Sequence, residues 1–460
     1  MKLTAHGLSA TTGSPKRSAW RGRSRWHGRT IAIATAALIA ALAAGCSSAG
    51  GTSSSESSSA SSQKVTLSFW TWVPNMDKIV AIWNKAHPDI QVQVQTQAGG
   101  DAELAKLLTA AKAGNPPDLA QVEYQVLPTL VSNNYLANIA QWDGSLQGDF
   151  PAGNWGQVTL GTSDLYGVPQ DAAPMALFYR ADLFKKYGLA VPTTWAQFAA
   201  DAAKLHSQAP GVYLGTFSSA DPGEFAGLTQ QAGAQWWSAS GTTWTVGIDD
   251  AASQQVASYW QSLVAGGGVN NQPQWTAAWT KGMNDGQYIA WVSDIWAPSD
   301  FPSTAPAGAG KWMMTQLPQW SAGGHVVGNW GGSSTAVMAA SKHQQDAAEF
   351  TAWLNTSPAA TAALVSDGGI YPADSAAEAA ITSPPTYFSN EPDFWSLGKQ
   401  YSAEAAQVTW GPDVNVAYSE FTSAFGAAAT AKGSFLSPLA AIQTAVLSDM
   451  KKTGFTVQAG

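Results

Sequence analysis

Between Val65 and Val122 the hydrophobic period of the chain switches repeatedly between two and about 3.6 residues, which restricts the fold more than any other feature. Val65 to Trp70 (VTLSFW) alternates and is rich in β-formers, the pattern of a strand. Ile79, Ile82, Trp83 and Ala86 then fall on one helical face, and Pro88 stops that helix. Ile90, Val92 and Val94 alternate with Gln91, Gln93 and Gln95, predicting a strand with one buried face. Leu104, Leu107, Leu108 and Ala111 mark a second helical face closed by Gly114 and Pro116-Pro117, and Leu119 to Val122 reads as a third strand. The order β-α-β-α-β predicts an α/β lobe with parallel strands and right-handed crossovers.

The same signals continue downstream. Val168-Pro169 opens a crossing segment, and Ala176 to Tyr179 predicts a strand. Leu183, Phe184 and Tyr187 lie on a short helix that Gly188 ends. Thr194 and Gln197 form a capping box for a helix over Trp195 to His206. Ser437-Pro438 supplies an N-cap and a first-turn proline for a helix through Leu439, Ile442, Val446 and Met450, with Lys451 and Lys452 in its last turn and Gly454 beyond. No repeat at a solenoid or propeller period is present.

The first residues speak to compartment. Lys2, Lys16, Arg17, Arg21, Arg23, Arg25 and Arg29 make a basic opening without an acid, and the apolar run Ile31 to Ala44 ends at Gly45-Cys46. That order describes a secretory signal peptide over 1–45, and the run falls short of the roughly 20 apolar residues that span a bilayer. Cys46 is the only cysteine, so an intramolecular disulfide or a thiolate cluster is excluded. Leu42-Ala43-Ala44-Gly45-Cys46 resembles a bacterial lipobox, with Ala43 where leucine is usual. The resemblance implies a lipidated Cys46, a mature N-terminus and a membrane-anchored, extracytoplasmic protein. Residues 47–63 are serine and glycine with one acid, which predicts a flexible tether.

Beyond the leader, 16 Lys+Arg face 31 Asp+Glu, a net charge of −15. Such a surface argues against nucleic acid and against anionic headgroups as partners. The 397 residues after the tether exceed one usual core, so two lobes are expected. Twenty of the 22 tryptophans lie beyond the leader, more than core filling requires.

A set of short pieces now falls into order. Phe69-Trp70-Thr71-Trp72 comes first, then His87-Pro88-Asp89-Ile90, Gly114-Asn115-Pro116-Pro117-Asp118-Leu119 and Tyr166-Gly167-Val168-Pro169. Leu177 to Phe184 (LFYRADLF) and Gly188 to Trp195 (GLAVPTTW) follow. Their order and spacing resemble the extracellular solute-binding proteins of ABC importers, the family that includes maltose- and oligosaccharide-binding proteins. The resemblance implies a two-lobe, periplasmic-binding-protein-like (type II) α/β fold with a hinge and an interlobe ligand cleft. It puts 64–172 and 330–370 in the first lobe, and 173–329 and 371–460 in the second. It further implies a monomer that passes its solute to the transmembrane subunits of the permease, with no cofactor, no metal and no catalysis.

A sugar offers apolar ring faces to aromatic side chains and hydroxyls to carboxylates and amides. Candidate ligand contacts therefore pair tryptophans with acids near strand ends: Trp72, Glu123, Tyr124, Asp171, Trp236, Trp237, Asp294, Trp296, Trp330, Gly331 and Trp410. Ligands of open α/β sheets favour the carboxyl ends of strands, which favours Trp72, Glu123 and Tyr124. Trp70, deeper in its strand, is as well read as core. Asp171 could instead cap a turn or pair with Arg180. Tyr288, Ala290, Val292, Asp294 and Trp296 share one strand face, with Trp291 on the other as core; the family often places a stacking aromatic where Trp296 stands. Loops carrying Trp236-Trp237 and Trp410 align poorly with the family, and packing is the rival there.

Two other functions compete. A glycosidase needs two carboxylates at a set separation, which sequence cannot measure, but no G-x-S-x-G, H-E-x-x-H or P-loop motif occurs. His87, His206, His325 and His343 are scattered singly. A polyamine would want acids with aromatic walls, which Glu123, Asp171 and Asp294 leave open; the tryptophan count favours a sugar.

Overall fold

A computed structural model describes residues 64–460. The predicted leader, Cys46 and the tether lie outside the described residues. The first strand, β1 (Val65–Thr71), pairs in parallel with β2 (Ile90–Thr96) and β3 (Leu119–Glu123), as the alternation predicts. Strand Ser333–Val337 returns from far along the chain to lie antiparallel to both β3 and β4 (Val168–Asp171), completing a five-stranded sheet. Helix α1 (Met76–Ala86) buries Met76, Ile79, Val80 and Trp83. Ile82, expected on that face, is exposed: the buried stripe is rotated toward Met76 and Val80. Leu67 and Phe69 are fully buried on β1, and Phe350 meets Phe69 and Trp83 edge-on. Burial of each such side chain contributes roughly 1.5–3 kcal/mol.

A second sheet has three strands. Central β5 (Met175–Arg180) pairs antiparallel with Ala290–Asp294 and with Trp312–Gln316. Helix Ala181–Tyr187 ends at Gly188 (φ 62), and helix Ser437–Lys452 buries Leu439, Ile442, Val446 and Met450, as the pattern predicts. Two helix starts differ. The Thr194 hydroxyl accepts from the Gln197 amide, but the Gln197 side chain reaches Thr193 rather than Thr194, so the capping box is shared across two threonines. Ser437 lies inside its helix with Leu436 at the cap, because the Ser437 hydroxyl donates to the Ser434 carbonyl instead.

Between the two sheets the chain crosses at 171–175, 328–333 and 370–373, and these segments bond to one another. Met175 N–H donates to the Gly328 carbonyl at 2.8 Å, Trp330 N–H to Ala173 at 3.1 Å, and Ala172 N–H to Tyr371 at 3.2 Å. The crossings are thus a small ribbon rather than loose linkers. Gly331 (φ 87) and Gly332 (φ 82) sit consecutively in left-handed conformations within it, open to glycine at little cost.

Candidate functional site

On one side of the crossing ribbon lies a cavity of about 570 Å³, within the size range of small-molecule sites. Its floor is built by a polar chain across the first sheet. Gln121, 1% exposed, accepts through Oε1 from the Thr71 hydroxyl (2.6 Å) and from the Trp72 amide (3.3 Å), and its Nε2 donates to Ser333 Oγ (3.0 Å). Ser333 in turn donates both its amide (2.6 Å) and its hydroxyl (2.5 Å) to Asp171 Oδ1. The chain fixes the backbone of Trp72 and the carboxyl of Asp171, which both line the cavity. Arg180, the alternative partner for Asp171, forks onto Asp182 instead. Burial pushes Asp171 up to about 6, against the lowering effect of the Ser333 bonds. Glu123 lines the same wall and accepts from Gln125 Nε2 at 2.9 Å.

The opposite wall is aromatic. The strand carrying Trp291 ends at Asp294, and Asp294 Oδ1 accepts the Trp296 amide at 2.8 Å, turning the chain there. Trp296 therefore leaves the face predicted for it and meets Trp291, with ring centroids 6.3 Å apart. Its Nε1 donates to the Trp330 carbonyl at 2.9 Å, and the Trp330 ring stands edge-on at 5.2 Å. Trp275 extends the row, 6.0 Å from Trp296, 5.7 Å from Trp291 and 5.3 Å from Trp279. It is 50% exposed, has φ 64, and its Nε1 donates to Asp221 Oδ2 at 3.3 Å. Gln274, beside it, is held by Trp291 Nε1 (3.1 Å) and by donation to Glu224 Oε2 (2.9 Å). Asp300, also on this wall, is pushed up to about 6 by burial.

Of the residues singled out from sequence, Trp72, Glu123, Asp171, Trp296, Trp330 and Gly331 converge on this cavity. The others do not. Tyr124 is buried behind the ribbon, its hydroxyl donating to the Asp171 carbonyl at 2.9 Å. With Trp410 and Gly331 it borders a second cavity of about 240 Å³ on the other side of the crossings. Asp294 is fully buried beneath the cavity rather than in its wall. Trp236 and Trp237 are core: Trp236 Nε1 donates to Ser253 Oγ, and Trp237 has no exposed surface. Trp70 packs under the helix that follows β2, with Lys106 Nζ 4.5 Å over its ring.

Sequence reasoning missed Trp275, Asp221, Asp300 and Tyr418. Asp221 was findable, since Asp221-Pro222 with Glu224 is an N-cap signature, and Asp221 Oδ1 does accept the Glu224 amide. Among the described residues no lysine, arginine or histidine lines the cavity, and no group of three His, Cys, Asp or Glu could hold a metal ion. Such a wall can stack apolar ring faces and accept hydrogen bonds from hydroxyls.

Residues 70–361 match the family model described as bacterial extracellular solute-binding protein. An arabinooligosaccharide-binding protein of Halalkalibacterium halodurans is 22% identical over 322 residues, covering 65% of this chain and 69% of that protein. An uncharacterized lipoprotein in the oleD 5′ region of Streptomyces antibioticus is 31% identical over 161 residues, 32% of this chain and 35% of that one. Among solved structures, the galacto-N-biose-/lacto-N-biose I-binding protein of the ABC transporter from Bifidobacterium longum, in complex with lacto-N-biose, superposes with a TM-score of 0.78. It is 27% identical, and the match covers 86% of this chain and 99% of that one.

Proposed function

Because the chain belongs to the family of bacterial extracellular solute-binding proteins, we propose that it captures a sugar, an oligosaccharide in particular, and delivers it to the membrane subunits of an ABC importer. It is a binding protein and not an enzyme. The observation that carries the sugar reading is the cavity wall. Trp72, Trp275, Trp296, Trp330 and Tyr418 stand beside Glu123, Asp171, Asp221 and Asp300, with no basic residue among them. Indoles stack on ring faces, and carboxylates accept from the hydroxyl rim. An anionic solute would meet four acids and no counter-charge.

The lobes are assigned as 64–172 with 330–370, and 173–329 with 371–460. Supporting this, the five-stranded sheet draws its strands from the first set and the three-stranded sheet from the second. Solute held between the lobes favours closure only by its extra contacts in the closed state. The lipobox-like Leu42 to Cys46 and the likeness to a lipoprotein support a diacylglycerol anchor on Cys46, outside the cytoplasmic membrane.

The same four acids without a base favour one second reading, a polyamine. Calorimetric titration with lacto-N-biose, arabino-oligosaccharides, lactose and spermidine separates the two. Saturable heat with a sugar and none with spermidine is expected; the reverse would replace sugar by polyamine.

A further inference from the structure

The helix Gly100–Lys112, α2, carries an acid that the sugar reading leaves unused. Glu103 is 3% exposed, and among the described residues neither of its carboxyl oxygens has a hydrogen-bond partner. Lys106, the cation that acts on it, is committed elsewhere: its Nζ donates to Gln97 Oε1 at 2.6 Å and covers the Trp70 ring. Burial pushes the Glu103 carboxyl up to about 8, with Lys106 pulling the other way, so near neutral pH it is mostly the O–H acid. A buried polar group left unpaired is destabilising, and a partner supplied by a ligand would remove that cost.

The space in front of Glu103 is a crevice of about 10 Å³, walled by Trp72, Gly100, Gln121 and Glu123 among others. Trp72, Gly100 and Glu123 also line the large cavity, so the crevice adjoins the sugar site. That volume is about one water-sized sphere, room for a single oxygen atom with its hydrogen. We propose that Glu103 is a specificity-determining residue whose carboxyl receives one hydroxyl of the bound sugar beside Trp72. The protonated acid donates its O–H to the hydroxyl oxygen and accepts the hydroxyl hydrogen on its other oxygen, so both atoms gain a partner in one contact. The assignment rests on the sugar reading and deepens it: sugars lacking a hydroxyl at that place are rejected, because the acid is then left unpaired.

The test is calorimetric titration of the full chain and of E103L and E103Q, with melting of each unliganded protein. The probes are lacto-N-biose, lactose and arabino-oligosaccharides, then the monodeoxy analogues of the tightest binder. E103L should lose about 10- to 100-fold in affinity while melting no lower than wild type, since an unpaired buried carboxyl has been replaced by a hydrocarbon. E103Q, whose amide also donates and accepts, should keep most of the affinity. One deoxy analogue should bind wild type as weakly as E103L binds the parent sugar, and E103L should not distinguish the two. If E103L binds as tightly as wild type, as expected were the crevice filled only by water, the assignment is overturned. It is equally overturned if E103L melts far below wild type or ranks the deoxy set as wild type does. A wild type that binds none of the sugars overturns the sugar reading along with it.

Discussion

Trp275 holds a left-handed backbone (φ 64) with half of its surface in solvent, and both facts bear on one substitution. A non-glycine residue held in that region costs of order 1–3 kcal/mol and persists where the surroundings over-determine it. W275G removes the strain and the ring together. The unliganded protein should then melt no lower, while sugar affinity falls by roughly 2–4 kcal/mol, about 30- to 800-fold. Calorimetry beside thermal melting checks this; a lower melting temperature with unchanged affinity would make Trp275 a packing residue. W237A should do the opposite, since that ring is wholly buried: a loss of roughly 3–5 kcal/mol in stability and no change in affinity of the folded protein. Trp291, which touches both Trp275 and Trp296, is a poorer core control than its strand position suggests. Trp296 was legible because it stands at the end of the alternating run from Tyr288, where the family often places a stacking aromatic, although the strand itself stops at Asp294. Trp275 was not, because it sits in the aperiodic stretch 271–276, where no alternation tells inside from outside. Trp236-Trp237 misled for a related reason: an indole pair looks the same in a core as in a cleft until burial is known.

Helix Pro222–Gln231 carries the Asp221–Gly223 corner of the cavity on its N-terminus, and its seat depends on two glycines. A methyl group on Gly328 would overlap the Gly227 carbonyl oxygen, which is backbone and cannot swing aside. G328A should therefore lower stability by about 1–3 kcal/mol or more and weaken sugar binding by displacing that corner. G426A is the contrast: it lies inside helix Val414–Ala431 with open space around it, and should stabilise by about 0.5–1 kcal/mol. Melting of both variants reads the difference, and a G328A protein as stable as wild type would refute the seat. At this scale the sequence was most informative. Alternation and 3.6-residue periodicity located β1, β2 and the helices that follow them, while β3, buried on both faces, showed only as a short run bounded by Pro116-Pro117. They could not pair Ser333–Val337 with β3, since that partner lies over 200 residues away and register leaves no local trace. Nor could they see that the Ser437 hydroxyl turns back to Ser434.

Across the described residues as a whole, buried acids outweigh paired ones. Burial pushes Asp143, Asp171, Asp300 and Asp413 up to about 6, Glu391 to about 7 and Glu103 to about 8, whereas among the described residues Asp182 alone is lowered, by Arg180. A raised carboxyl binds its proton more tightly in the folded than in the unfolded chain. Its stabilising contribution is complete below the unfolded value near 4 and is lost as pH rises through 6 to 8. The melting temperature should accordingly be higher at pH 5.5 than at pH 8; a flat or rising profile would contradict the burial of these groups. The anchor is tested on the intact cell: C46S should leave the membrane fraction, since acyl chains supply nearly all the membrane affinity, and retention would reject lipidation of Cys46.

The row Trp279, Trp291, Trp275, Trp296 and Trp330, each ring centroid within 6.0 Å of the next, has an optical consequence. Indoles so close share excitation, and Trp275, central in the row and half exposed, is the one whose surroundings a docked solute would change most. Occupancy should thus shift the protein's own ultraviolet emission and the sign pattern of its aromatic circular dichroism, giving a built-in gauge of the solute that needs no dye.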